Sequence, residues 1–454
     1  MTALAAPVKT GTKALGDPWV KQLLQRLRQT DNLTNWFYLI RAWTYMALVA
    51  SLTIGFYYAN NFWIGSWFWN IPVTALGVFL MGAGIHQLTA LTHEASHFIL
   101  FKNRWLNELA SEFFCMYPIY GSTHLYRLQH IAHHQFVNDP ARDPDLAQVQ
   151  SSGHWIGNPA PRGAFLRLLY KQLWLPNVLR FMIVRARFNA VGTEHNPYYR
   201  KGFKISKVPA RIGMAYLFSM MATLAVAVYY SLSWLMWAGP LVLSALLVAR
   251  IMMLRPDQFI VTRVEPVLPA RYQMMMRLIL NGTIYTALAY LSAHVDPWAP
   301  AYYAVLWVGA IFTSFGLFMM LRQVVQHGNA DRGWLTNTRV FLVGDFIRFA
   351  VFPLGQDYHL PHHMYASIPH YNLKELHENL LQCPEYATEA TEVHGYFVSP
   401  EHPKLHPTVV DVLGPDWSPH VPHEIHMDHS VLADMEVYGA EELIEEAERA
   451  KASA

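Results

Sequence analysis

The amino-acid sequence predicts an all-α, polytopic membrane protein with about four to six transmembrane helices in hairpins and a cytoplasmic helical cap. Three observations favour this fold class. Hydrophobic residues make up 53% of the chain. Charged residues make up only 15%, where soluble domains carry roughly a quarter. Several apolar runs are about 20 residues long, which is the length that crosses a hydrocarbon layer as a helix.

Six apolar runs are candidate spans, and they pair into three hairpins. The turns inside the pairs lack Lys and Arg, whereas the long segments between the pairs are rich in them. The positive-inside rule therefore predicts that both termini and the long segments are cytoplasmic. The six runs are Trp36 to Tyr58, Trp67 to Leu91, Ile212 to Tyr230, Leu235 to Leu254, Leu278 to Ser292 and Tyr302 to Met320.

The spans divide the chain into three parts. Residues 1–35 form a cytoplasmic N-terminal segment, residues 36–383 a membrane domain, and residues 384–454 a polar C-terminal cytoplasmic tail. Between the second and third spans, Phe165 to Phe188 mixes large apolar residues with Arg and Lys, and Pro176 divides it. This pattern predicts two amphipathic helices in the membrane interface, or alternatively a helix buried within the cap.

The most informative feature is the placement of the 23 histidines. Three clusters lie just outside spans, on the predicted cytoplasmic side, in the sequences HEASH, HIAHH and HLPHH. Spacings of three and four residues bring imidazoles to one side of a helix, as a shared metal site requires. One metal takes four to six ligands, so eight imidazoles predict two metals. The eight are His93, His97, His130, His133, His134, His359, His362 and His363.

The series HxxxH, HxxHH and HxxHH around membrane hairpins resembles the membrane-bound fatty acid desaturase and hydroxylase superfamily. The resemblance covers roughly residues 92–378. It implies two iron ions on about nine histidines, and His327 in RQVVQHGN lies where the ninth would be. It also implies that O2 is a co-substrate, that a lipid acyl chain is desaturated, and that zinc in the site would indicate mismetallation.

The electrons would come from a separate donor protein of the ferredoxin or cytochrome b5 type. The sequence contains no haem motif of a fused cytochrome b5 domain, and two cysteines cannot hold an iron–sulfur cluster. The donor would dock on the basic cytoplasmic face, which includes Arg127, Arg142, Arg162 and Arg167; phospholipid contact is the alternative role of these charges.

Other polar residues are candidates for supporting roles. Glu94 and Asp145 could accept the second N–H of ligating imidazoles, as carboxylates commonly do. Gln323, one turn before His327, could reach a metal through water or could simply pack. We expect His86 to support a ligand or to pack rather than to bind metal, and we do not expect His124 to be a ligand. No catalytic residue is expected beyond the metal centre.

Three other functions remain open from the sequence. The same metal site could hydroxylate a lipid, a sphingolipid or a carotenoid. HEASH also matches the H-E-x-x-H pattern of zinc intramembrane proteases, with Glu94 as general base. A metal transporter is the third, although transport sites usually lie near the bilayer midplane. The net charge of +2 argues against nucleic acid as a partner.

Overall fold

The computed structural model describes residues 14–191, 196–200, 206–417 and 423–452. Over these residues the protein is helical apart from two short parallel strands, β1 (Val340–Leu342) and β2 (Glu392–His394), so the predicted fold class is confirmed. The helices are α1 (Pro18–Leu27), α2 (Thr34–Trp63), α3 (Asn70–Ser96), α4 (Arg104–Ser111), α5 (Thr123–Gln135), α6 (Pro144–Ser152), α7 (Arg162–Gln172), α8 (Leu175–Val191), α9 (Val208–Tyr229), α10 (Ser233–Met252), α11 (Ala270–His294), α12 (Ala299–Tyr302), α13 (Gly316–Gln326), α14 (Asp345–Ala350), α15 (His359–Met364), α16 (Leu373–Leu380), α17 (Pro384–Glu389), α18 (Val409–Val412) and α19 (Ala440–Ala452).

Five helical segments among the described residues are long and apolar enough to cross a membrane. They are Thr34–Trp63, Trp67–Ser96, Val208–Tyr229, Ser233–Met252 and Ala299–Gln326. The last runs from α12 to α13 through two π-helical segments. The remaining predicted span, Leu278 to Ser292, lies within α11, which has 25 residues but is less apolar than the other five because it includes Arg271 and Arg277.

The amphipathic segment forms two helices, α7 and α8, and Pro176 lies in the first turn of α8. Proline is tolerated there because the first N–H groups of a helix have no partner within the helix. Phe165 of α7 and Phe181 of α8 are fully buried, whereas Tyr170 and Ile183 are exposed. Each helix therefore packs one face against the protein and leaves apolar groups on the other, as an interfacial helix would.

The C-terminal segment, predicted as a polar tail, packs against the rest of the protein in its described part. Strand β2 pairs with β1, and Val409, Val410 and Leu413 belong to the main hydrophobic core. Asn329 also donates from Nδ2 to the carbonyl oxygens of Val412 and Gly414, both at 3.0 Å. This segment therefore fixes the loop that follows α13.

The approach of α3 to the last span depends on a glycine. A Cβ at Gly82 would lie 2.5 Å from the backbone nitrogen of Phe315 and would also meet the hydroxyl of Ser314. The Ser314 hydroxyl donates to the carbonyl oxygen of Val78 at 2.6 Å. Because candidate metal ligands lie at the ends of both helices, His93 and His97 on α3 and His327 after α13, this contact helps to set the distance between them.

We predict that Gly82→Ala destabilises the protein by about 1–3 kcal/mol, because the added carbon meets backbone that cannot rotate away. The measurement is the thermal unfolding midpoint of detergent-purified protein. Gly55→Ala is the matched control, since a Cβ on this span glycine would meet nothing within 4 Å. Equal midpoints for the two variants would contradict the packing argument.

Candidate metal centre

The nine histidines singled out in the sequence come together in two groups. The elements that carry them are the end of α3, helix α5, helix α15 and the residue that ends α13. In each group, one nitrogen from every histidine lies within 4.8 Å of those of the others. The first group is His93, His97, His130, His134 and His362, and the second is His133, His327, His359 and His363.

The HxxHH spacing itself distributes the histidines of each of two helices between the two groups. Successive helical residues are about 100° apart, so a residue at i+4 lies about 40° past residue i, and one at i+3 lies about 60° short of it. On α5, the i and i+4 pair His130 and His134 joins the first group and His133 joins the second.

Helix α15 shows the reverse division. Its i and i+4 pair, His359 and His363, joins the second group, whereas His362 joins the first. Each HxxHH helix therefore contributes two imidazoles to one group and one imidazole to the other. The two groups are consequently held side by side by the same two helices.

The distances between ring nitrogens fit metal coordination. In the first group, the Nε2 atom of His134 lies 3.0 Å from that of His130 and 2.9 Å from that of His362. In the second, the Nε2 atom of His327 lies 3.0 Å from those of His133 and His359. Two nitrogens bound at right angles with bonds of about 2.1 Å lie about 3.0 Å apart.

Several ring nitrogens in the groups are buried without a hydrogen-bond partner among the described residues. They include Nε2 of His93, His97 and His363. A buried polar atom without a partner is costly in a folded protein, and a bound metal would satisfy it. The residues present therefore fit metal ions in both groups.

Burial also keeps most of these imidazoles neutral, as metal ligands must be. It lowers the pKa of His97 to about 3. In the first group, burial and the neighbouring histidines hold the pKa of His130 and His134 well below its usual value. The same effects lower the pKa of His359 and His363 in the second group. A lone pair is therefore available on these rings.

His133 differs because a carboxylate lies beside it. Burial disfavours its protonated form, but Asp143, with Oδ1 at 3.0 Å from Nδ1, outweighs burial and raises the pKa of His133 to about 9. The Nδ1–H thus donates to Asp143, and Nε2 faces the second group. On the ninth histidine, His327, Nδ1 makes the equivalent contact with the carbonyl oxygen of Asn337 at 2.8 Å.

Asp143 makes the contact with a ligand histidine that the sequence predicts for Asp145. Asp143 is the N-cap of α6, where its Oδ1 accepts from the backbone N–H of Asp145 at 2.9 Å. This bond fixes its carboxylate toward His133. Asp145 lies in the first turn of α6 and instead lines a cavity beside the histidines. The sequence DPD contained the capping signal, an aspartate followed by proline at the first helical position.

Glu94 connects the first histidine cluster to the chain after the third. Its Oε2 accepts from the backbone N–H of His370 at 2.8 Å, and its Oε1 lies 3.4 Å from Nδ1 of His93. The carboxylate is buried and held by these contacts. It is therefore not free to act as the general base that the protease interpretation requires.

The remaining candidates contact protein groups. Gln323 donates from Nε2 to Oε1 of Gln148 at 2.8 Å. His86 lies outside both groups, with Nδ1 at 2.7 Å from the carbonyl oxygen of Ala350. His124 likewise lies outside them, with Nε2 at 3.3 Å from the hydroxyl of Thr262.

A further cluster, which the sequence did not predict, consists of Glu392, His394 and His406. The two imidazole rings stack with centroids 3.8 Å apart and planes at 12°. Their Nδ1 atoms both contact Oε1 of Glu401, at 2.7 and 2.8 Å. Because stacked rings direct their lone pairs side by side rather than toward one point, this cluster suits hydrogen bonding better than metal binding.

The apolar spans and the buried histidines define an integral membrane protein with two candidate metal sites. Comparison with known proteins identifies it further: the chain belongs to the fatty acid desaturase family, whose model matches residues 72–271 and 252–393. The resemblance carried by the histidine spacings is therefore confirmed.

Two relatives are desaturases. Dihydrorhizobitoxine desaturase of Bradyrhizobium elkanii is 24% identical over 359 residues, which is 77% of each chain. Delta(5) fatty acid desaturase fat-4 of Caenorhabditis elegans is 43% identical over 70 residues, which is 15% of this chain and 16% of the relative. These relatives support a desaturase-type function, and their names indicate that they act on different substrates.

We predict that Asp143→Asn lowers metal affinity by about 10- to 100-fold, because the neutral amide no longer stabilises the orientation and basicity of His133. The measurement is metal retained per chain, by mass spectrometry, after dialysis against increasing chelator. The control is Asp345→Asn, which alters an exposed ion pair with Arg348. Wild-type retention by Asp143→Asn would show that this carboxylate does not support the centre.

Proposed function

We propose that the protein is an O2-dependent di-iron desaturase that introduces a double bond into an acyl chain. The observation that carries this proposal is the division of nine buried histidines into adjacent groups of five and four. Imidazole is a suitable ligand for iron, and two neighbouring groups match a two-metal centre.

The chemistry explains why a redox metal is needed. An unactivated methylene pair loses hydrogen only to an oxidant that no side chain provides, and bound iron would supply it by activating O2. Each turnover removes two hydrogen atoms, as two electrons and two protons, from the substrate. Two further electrons from the donor and two protons from solvent complete the reduction of O2 to two molecules of water.

Residues around the nine histidines would hold and enclose the metal centre. Asp143 and the carbonyl oxygen of Asn337 fix the orientation of two imidazoles, and Glu94 joins the end of α3 to the segment after α15. All nine rings are buried or half-buried. They therefore exclude bulk water, which protects a reactive centre from side reactions.

The first and last described helices lie beside the layer that carries the histidines. Arg26 of α1 pairs with Glu375 of α16 at 2.6 Å. Near the other end, Ala447 of α19 packs in a cluster with Phe136, directly after α5. With the positive-inside rule, this arrangement supports a cytoplasmic position for both termini and the active site.

A separate electron donor would approach this same side. Of the four arginines predicted to receive it, Arg127 is buried and pairs with Glu108 at 2.6 Å, so it is unsuited to docking a donor. Arg142 pairs with Asp139. Arg162 and Arg167 on α7 are exposed and remain the proposed contact.

We predict that His134→Ala and His362→Ala each abolish product while membrane insertion is unchanged, because insertion depends on the apolar spans. The measurement is mass spectrometry of acids and lipids from expressing cells, with membrane fractionation of the same cells. The control is His294→Ala, an exposed histidine at the end of α11.

The same measurement separates desaturation from its alternative. A product that has lost two hydrogen atoms supports the proposal, whereas one that has gained an oxygen atom identifies a hydroxylase. Wild-type product from either cluster variant would contradict the assignment of the centre.

A further inference from the structure

A cavity of about 50 Å³ lies directly beside the histidines. Its wall includes His130, His133 and His327, and it is completed by α6, α8 and α13. A water molecule needs about 10–15 Å³ of such space, so the cavity has room for a carboxylate group and the carbon next to it, and a longer tail would extend beyond it.

The cavity wall includes charged side chains, which a site that holds only hydrocarbon would not need. Arg322 and Arg185 both line it, together with Gln323. Arg322 is 9% exposed and carries the only formal charge in the span Ala299–Gln326. An ionisable residue inside a membrane-spanning helix usually marks a functional site.

The guanidinium of Arg322 lacks a full set of partners. Its Nε is buried and has no hydrogen-bond partner among the residues that the structure describes. A buried guanidinium is costly unless an acceptor, usually an anion, pairs with it. The side chain is thus placed to bind an oxyanion that enters the cavity.

Arg185 is held in position by two amide side chains. Its Nη1 donates to Oε1 of Gln148 at 3.1 Å and to Oε1 of Gln323 at 3.2 Å. Because Gln323 also donates to Gln148, the three side chains form a closed network along the wall. Arg185 therefore presents a second fixed positive charge to the same cavity.

Two carboxylates also face the cavity. Asp143 is already bonded to His133 and to the backbone of α6. Asp145 is the other, so the two carboxylates balance the formal charge of the two guanidiniums, and a bound metal would add positive charge that neutral imidazoles do not offset.

We propose that this cavity is the substrate site and that it takes a small organic acid, whose carboxylate binds Arg322 and Arg185. This inference rests on the proposed desaturase function and narrows its substrate to a free acid oxidised within a few bonds of its carboxylate. Guanidinium matches carboxylate geometry through paired hydrogen bonds. A long stretch of acyl chain would instead need an apolar tunnel at this position.

The test is equilibrium dialysis of the full-length protein in detergent with radiolabelled hexanoate and, separately, with the neutral isostere hexanamide. Loss of the charged hydrogen bonds weakens binding by about tenfold or more, so hexanoate should bind at least that much more tightly than hexanamide. Equal affinities overturn the proposal. Hexyl phosphate competes in a parallel experiment, and tighter binding of this ligand would identify a phosphate site instead.

Substitutions of the cavity arginines test whether hexanoate binds in this cavity. Arg322→Gln should weaken hexanoate by about tenfold and leave hexanamide unchanged, and Arg322→Lys should restore part of the loss. The matched control is Arg180→Gln on the same helix as Arg185, since Arg180 is exposed and should not affect affinity. Unchanged hexanoate binding in Arg322→Gln overturns the proposal. If Arg322→Gln fails to fold, Arg185→Gln and the wild-type comparison decide the question.

The iron content of the same samples distinguishes failure of the proposed substrate class from failure of the proposed di-iron function. Protein that holds iron but does not distinguish hexanoate from hexanamide overturns the substrate class alone. Protein that binds neither iron nor, by mismetallation, zinc contradicts the di-iron function whatever its affinity for hexanoate.

Discussion

The angular spacing of residues on an α-helix governs how this centre is built. In an HxxHH sequence on a helix, the last histidine lies about 40° from the first around the helix axis. The middle histidine lies about 60° from the first on the opposite side, so it is about 100° from the last. Helices α5 and α15 both use this sequence, with opposite assignments of the pair and the single imidazole. Two short helices are therefore sufficient to supply six of the nine histidines and to keep the two groups adjacent. The remaining three come from the ends of α3 and α13.

The surrounding protein fixes the orientation of these rings by binding their other nitrogen. Asp143 does so for His133, and the carbonyl oxygen of Asn337 does so for His327. Packing at Gly82 brings α3 against the last span, and the C-terminal segment holds the loop after α13. The neutral rings contribute no negative charge, and the adjacent cavity carries Arg322 and Arg185 together with the carboxylates Asp143 and Asp145.

The local pattern of the sequence predicted the spans and the eight clustered histidines, because hydropathy and helical spacing are properties of short segments. His327 was predicted only from the resemblance to the family. It did not predict how the histidines divide, since that depends on how α5 and α15 face one another. Tertiary packing also decides that Asp143, and not Asp145, contacts His133. It likewise buries Arg127, which pairs with Glu108 and does not lie on the surface. The C-terminal segment was predicted as a tail because its buried valines are few and separated by polar residues.

The most direct test of the account is the metal content of the wild-type protein, purified in detergent and measured by inductively coupled plasma mass spectrometry. The two histidine groups predict about two iron ions per chain, because each group offers enough ligands for one metal. Two zinc ions would preserve the two-site geometry and indicate mismetallation. One metal ion per chain, or none, would contradict the central claim that both groups are metal sites.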